Sequence, residues 1–200
     1  MTADTPPAPA ARLWANLAVA GILVYVVIDI VLAFLRPDYS LLKNYESDYG
    51  RGPFAWLMDV NFVLRGVLSA CAVVALRRSR VATPWTAVFL RIWAVGSALL
   101  AFFPDNPVGY PHLASGGIHL IIAGIAFVAI AVATLGMSFG PATRGRFVVA
   151  RRVLAIVGAV ALLLVLHPFG APGLVERIFL AAELGWLAVA LGAVRKVDQG

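Results

Sequence analysis

Six stretches of about 20 apolar residues, each long enough to cross the hydrocarbon core of a bilayer, leave this chain one solvent in which to fold. They run Leu13–Leu35, Phe54–Leu76, Pro84–Phe103, His112–Leu135, Val148–Leu166 and Leu174–Val194. Hydrocarbon offers no water to backbone N–H and C=O groups, so spans of this kind must satisfy them internally, as helices. Composition agrees: 62% of residues are hydrophobic, 13% are charged, and mean hydropathy is +0.91. Soluble domains carry about a quarter charged residues. Pro37, Pro104, Pro168 and Pro172 follow spans and Pro53 and Pro84 precede them, as suits a residue that helix interiors exclude and first turns accept. The expected fold class is all-α: a polytopic six-helix antiparallel membrane bundle. It forms one domain over residues 13–195, between flexible tails at 1–12 and 196–200.

Lysine and arginine set the expected orientation. Arg12, Arg77, Arg78, Arg80, Arg144, Arg146, Arg151, Arg152, Arg195 and Lys196 gather on one side, against Arg36, Lys43, Arg51 and Arg177 on the other. This asymmetry puts both termini in the cytoplasm. Fourteen arginines against two lysines fit a GC-rich bacterial genome, so the expected location is the bacterial cytoplasmic membrane. The arginines form no nucleic-acid-binding stripe. Membrane lipids are the expected partners, with self-association through small-residue helix faces left open. Cys71 is the single cysteine and reads as a small buried hydrophobe.

The outward loops are the unusual ones. Loop one, RPDYSLLKNYESDYGRGP, carries three tyrosines that suit interfacial anchoring, and its SLLKNYES core predicts a short interfacial helix capped by Ser40. Loop three, FPDNPVGYPH, joins an acid to three prolines and a histidine. Trp14, Trp56, Trp85 and Trp186 read as aromatic-belt residues and Trp93 as packing.

Ionisable residues inside spans cost about 2.5–3.5 kcal/mol each at a helix centre, and they face the bundle interior. Counting from the outer ends at about 1.5 Å per residue puts Asp29, Asp59 and His119 in one layer, about 7–11 Å deep. Glu183, Arg65 and Arg91 fall in a second, about 13–18 Å deep. The lower set predicts a structural ion cluster, Arg65 and Arg91 on Glu183, forming a floor. The upper set, with Glu46, Asp105, His112 and Glu176 at its mouth and Ser47 and Arg177 as further candidate ligand-binding residues, predicts an outward-open polar cavity. His112 and His119 are seven residues apart, as are Glu176 and Glu183, which keeps each pair within about 20° on one helix face.

These residues support three readings. The leading one is a non-enzymatic protein that binds or translocates a lipid headgroup or small polar ligand, proton-linked through His119 beside carboxylates. The second is an intramembrane lipid hydrolase or transferase with His119, Asp29 and Asp59 as catalytic groups, or with Ser47 or Ser115 as nucleophile. The third is a structural subunit without ligand. No cofactor is expected. Zinc on His112, His119 and His167, completed by Asp29, Asp105 or Glu176, is the lesser alternative, because no HxxxH or HExxH motif is present.

The runs ESDYGRGPFAWLMDVNFVLRG, FFPD and GLVERIFLAAELGW, with His119 between the last two, resemble the prokaryotic membrane family known as domain of unknown function 998. The resemblance covers roughly residues 15 to 195. It rests on Ser47, Gly50, Trp56, Phe62, Gly66, Pro104, His119, Glu176, Arg177 and Trp186. It implies a six-helix integral membrane protein and brings no established reaction.

Overall fold

The computed structural model describes residues 9–140, 147–167 and 170–195. Arg144, Arg146, Pro168 and Lys196, together with most of the N-terminal tail and the whole C-terminal one, lie outside them. Six helices form: α1 Pro9–Leu35, α2 Ala55–Arg78, α3 Pro84–Leu99, α4 Ala114–Phe139, α5 Val148–Val165 and α6 Pro172–Arg195. A 3₁₀ turn at Leu100–Phe102 extends α3. All six segments are long and apolar enough to span a membrane, and no strand occurs among the described residues. The chain is a multi-pass, all-α membrane protein.

Each helix packs on its successor and α1 closes on α6, while α2 also touches α6 inside the ring. Small residues set the spacing. A Cβ on Gly66 would stand 2.7 Å from the Ala94 carbonyl and 2.7 Å from Ala98 Cβ, so α2 and α3 touch backbone to backbone, the approach that favours association where lipid supplies no hydrophobic drive. Buried indoles take hydroxyl partners, as a polar handle in an apolar core requires. Trp93 donates to Ser69 at 2.9 Å and Trp186 to Ser138 at 2.7 Å. Trp186 is fully buried and so is no belt residue, whereas Trp56 and Trp85 face outward. Cys71 is buried and unpaired.

Loop one departs from its expected form. Ser40–Asn44 is a hydrogen-bonded turn in which the Ser40 N–H donates to Asn44 Oδ1. The helical turn comes later, as a 3₁₀ helix at Glu46–Gly50, with Glu46, Ser47, Asp48 and Tyr49 all buried. The loop therefore dips into the bundle mouth instead of lying along the interface. Tyr49 is buried with it, and Tyr39 and Tyr45 are half-buried.

Two arginines hold it there. Arg36, at the end of α1, grips Asp38 through Nη2 at 2.8 Å and donates through Nη1 to the Arg51 carbonyl at 2.6 Å. The guanidinium beside it keeps the Asp38 carboxyl below its ordinary range. Arg177 Nη1 donates to the carbonyls of Leu41 at 3.1 Å and Asn44 at 2.7 Å. A Cβ on Gly173 would collide with the Asn44 backbone, so glycine is what lets the loop seat against α6.

Candidate functional site

Under loop one lies a cavity of about 750 Å³, within the range of small-molecule sites. Glu46, Ser47 and Asp48 from loop one, Asp105 from loop three, His119 from α4 and Glu176 from α6 form its polar end, and Arg65 from α2 reaches it from deeper in the bundle. Met58, Phe62 and Arg65 present one stripe of α2 at spacings of four and three, the period that keeps residues on one face.

Acidic groups dominate the polar end. The Glu46 N–H donates to Glu176 Oε2 at 2.5 Å. Glu46 Oε1 accepts from the Tyr25 hydroxyl, which in turn accepts from Arg65 Nη1 at 3.2 Å. Asp48 accepts from Asn44 Nδ2 and from the Tyr45 N–H, each at 3.0 Å. Burial outweighs those two bonds and pushes the Asp48 carboxyl above its ordinary value. Ser47 donates to Asp105 Oδ2 at 2.8 Å.

His119 is 3% exposed. Its Nδ1 lies 2.7 Å from the Phe103 carbonyl; that oxygen only accepts, so Nδ1 carries the hydrogen. Nε2 faces Asp105 Oδ2 at 3.8 Å, beyond hydrogen-bond length.

Arg65 is 2% exposed and pairs with no carboxylate among the described residues. Nε donates to Ser97 at 3.2 Å. Its guanidinium carbon lies 5.0 Å from the Trp93 ring centre and 5.3 Å from that of Phe62, within cation–π range. Aromatic faces and hydroxyls thus surround the cation, and Tyr25 relays it to Glu46.

The opposite end of the cavity is apolar and opens sideways. Leu120 and Val128 of α4 and Leu166 after α5 line it while remaining 72%, 50% and 62% exposed. Gly124, between them on α4, has open space where a Cβ would stand. The groove between α4 and α5 therefore faces the lipid.

Several expected positions differ. The ion cluster does not assemble: Arg91 is exposed and shares a groove with Arg77 and Arg78 near the other end of the bundle. Its long side chain reaches polar surroundings there, as arginines near span ends do. Glu183 is fully buried, with neither oxygen hydrogen-bonded, against α5 where Gly158 leaves room for it. His112 is exposed and precedes α4, which starts at Ala114, so it shares no helix face with His119.

Asp59 is half-buried on α2 and does not line the cavity. It is one residue from Met58, and one residue on a helix is a turn of about 100°. Asp29 is half-buried, and its Oδ1 has no hydrogen-bond partner. It belongs to α1 and does not line the cavity. Arg177 supports loop one without lining the cavity.

The hydrolase arrangement lacks its contacts. Ser47 donates to Asp105, and Ser115 donates to the Pro104 carbonyl at 3.2 Å, so neither serine is bonded to the imidazole. His167 is exposed, with Nδ1 beside the Leu163 carbonyl. No group of three or more metal-ligating side chains occurs among the described residues.

Tyr25, Asn44, Asp48 and Gly173 went unremarked in the sequence reading. Asp48 had a signal, an acid two residues from Glu46 in the same loop. Gly173 had none beyond its place ahead of an acid and an arginine.

Comparison with curated proteins and with solved structures found no match. A family model described as "Protein of unknown function (DUF998)" matches residues 19–193, which include every residue lining the cavity. The chain belongs to that family of membrane proteins of unknown function.

Proposed function

We propose that this protein binds a membrane amphiphile, with the polar head under loop one and the hydrocarbon tail in the groove between α4 and α5. The observation that carries the reading is the two-part cavity: buried carboxylates, a histidine and an arginine at one end, and a lipid-facing apolar wall at the other. A freely soluble polar ligand would gain nothing from Leu120, Val128 and Leu166, whereas an amphiphile can keep its tail in apolar surroundings along them while its head enters the polar end. The excess of arginine on the opposite loops supports an outward-facing head site in a bacterial cytoplasmic membrane. His119, whose Nε2 stands 3.8 Å from Asp105, is the group through which proton-linked binding enters this reading. No cofactor enters this reading, and catalysis is not part of it.

Gly124→Trp tests it. The new Cβ would enter open space in the groove, with no atom within 4 Å of it, and glycine in a helix interior is less favourable than alanine by about 0.5–1 kcal/mol. Thermal stability should hold or rise while retention of a co-purifying lipid, quantified by mass spectrometry after detergent extraction, falls at least tenfold. Unchanged lipid retention in a well-folded Gly124→Trp protein would remove the groove from the account.

A further inference from the structure

From the balance of charge and of hydrogen-bonding capacity in the cavity, we infer that the bound amphiphile has a cationic head, an alkyl ammonium that lodges between Glu46, Glu176 and His119. The inference rests on the amphiphile reading and specifies the chemistry of the head.

The charges are unequal. Glu46, Asp48, Asp105 and Glu176 line the polar end, against Arg65 within, Lys43 exposed at the rim and Arg177 outside the lining, where it is spent on the loop-one carbonyls. Glu46, Asp48 and Glu176 are each 6% exposed or less, and none of the three has a cation within ion-pair distance among the described residues. Arg65 is already committed to Ser97, Tyr25 and the Trp93 and Phe62 rings. Buried charge is tolerated when it is paired, and the pairing this set lacks is a positive one.

The hydrogen-bond inventory agrees independently. His119 is 3% exposed and lines the cavity, and its Nδ1 hydrogen is used on Phe103. Nε2 therefore presents a lone pair with no hydrogen-bond partner. Glu46 Oε2 and Glu176 Oε1 likewise accept no hydrogen bond from the described residues. Arg65, Asn44, Tyr45, Asn106 and the rim Lys43 are lining side chains with hydrogens still to give, and of these Arg65 is the one that is both charged and buried. In their ionised form these carboxyls carry no hydrogen to give, so an anionic head would meet repulsion and unfilled acceptors together. An ammonium brings up to three donors and the missing charge. Its hydrocarbon chain can leave along Leu120 and Val128.

The test is a binding series on the full chain in a nonionic detergent, using hexadecylamine (protonated at neutral pH), hexadecanol and palmitate. The amine should bind at least ten times more tightly than the alcohol, with palmitate weakest. Glu176→Gln and Glu46→Gln should each bring the ratio of amine to alcohol affinity, measured in the same variant, from at least ten to about one. Palmitate binding as tightly as the amine, or a preference that survives both substitutions, overturns the cationic head alone. Failure of all three probes to bind the wild-type chain overturns the amphiphile reading with it.

Discussion

Gly173→Ala should cost the folded protein about 3 kcal/mol or more and lower ligand affinity in the same stroke. The added methyl would strike the backbone of Asn44, which has no side-chain freedom with which to yield. Overpacking of this kind costs about 1–3 kcal/mol. The loop that must move also carries the Leu174 N–H bond to the Leu42 carbonyl, the Arg177 bonds to Leu41 and Asn44, and the Glu46 N–H bond to Glu176. Each lost hydrogen bond adds about 1 kcal/mol. Because the same loop brings Glu46, Ser47 and Asp48 to the cavity, stability and binding should fall together. Gly192→Ala, on the same helix with open space at its Cβ, is the control and should be neutral or slightly stabilising. Equal melting temperatures for the two variants would mean that loop one is not seated on α6.

The second large effect is expected at Arg65. Arg65→Ala removes the bonds to Ser97 and Tyr25 and the contacts with Trp93 and Phe62, and leaves the Tyr25–Glu46 pair without the guanidinium that donates to it. Breaking a buried charged network from one side costs about 3–5 kcal/mol. Arg65→Lys should rescue little, since one ammonium cannot reproduce the planar fork and ring stacking. Coupling through the hydroxyl is separable: in a Tyr25→Phe background the effect of Arg65→Ala should shrink, as it does for partners in one network. Full additivity of the two substitutions, or wild-type stability in Arg65→Lys, would contradict the relay from Arg65 through Tyr25 to Glu46.

The spans were legible because length and hydropathy are what a bilayer tests. The largest shift at a helix start was at α1, which begins at Pro9 in place of Leu13. Depth was partly legible too, since counting at 1.5 Å per residue needs only a span end. Rotation was not. Asp59 and Met58 lie at nearly the same depth, yet only Met58 lines the cavity.

Arg91 failed for a related reason. Counted from the outer end of its span it seemed deep, but its side chain had a shorter way to the opposite end, beside Arg77 and Arg78. Glu46, Ser47, Asp105, His119 and Glu176 share one cavity, whereas depth counting alone places His119 in the layer below a mouth of Glu46, Asp105, His112 and Glu176. The apolar half of the cavity was invisible beforehand, because leucines and valines that line a groove read like those that face bulk lipid. Tyr25 was missed because a tyrosine in a long apolar run carries no charge to mark it.

Loop one shows how tertiary contact shifts a local signal. Ser40 predicts a capped helix there, but Asn44 bonds instead to Ser40 and Asp48, and its carbonyl accepts from Arg177. The helical turn then begins at Glu46, which puts three consecutive polar residues inside the bundle.

An experimentally determined map of the protein in lipid nanodiscs tests the central claim most directly. The expected result is continuous density that starts between Glu46, Glu176 and His119 and runs down the groove past Leu120 and Val128 into the lipid. Aliphatic side chains of α4 and α5 closed on each other, with no ligand density beneath loop one, would contradict it.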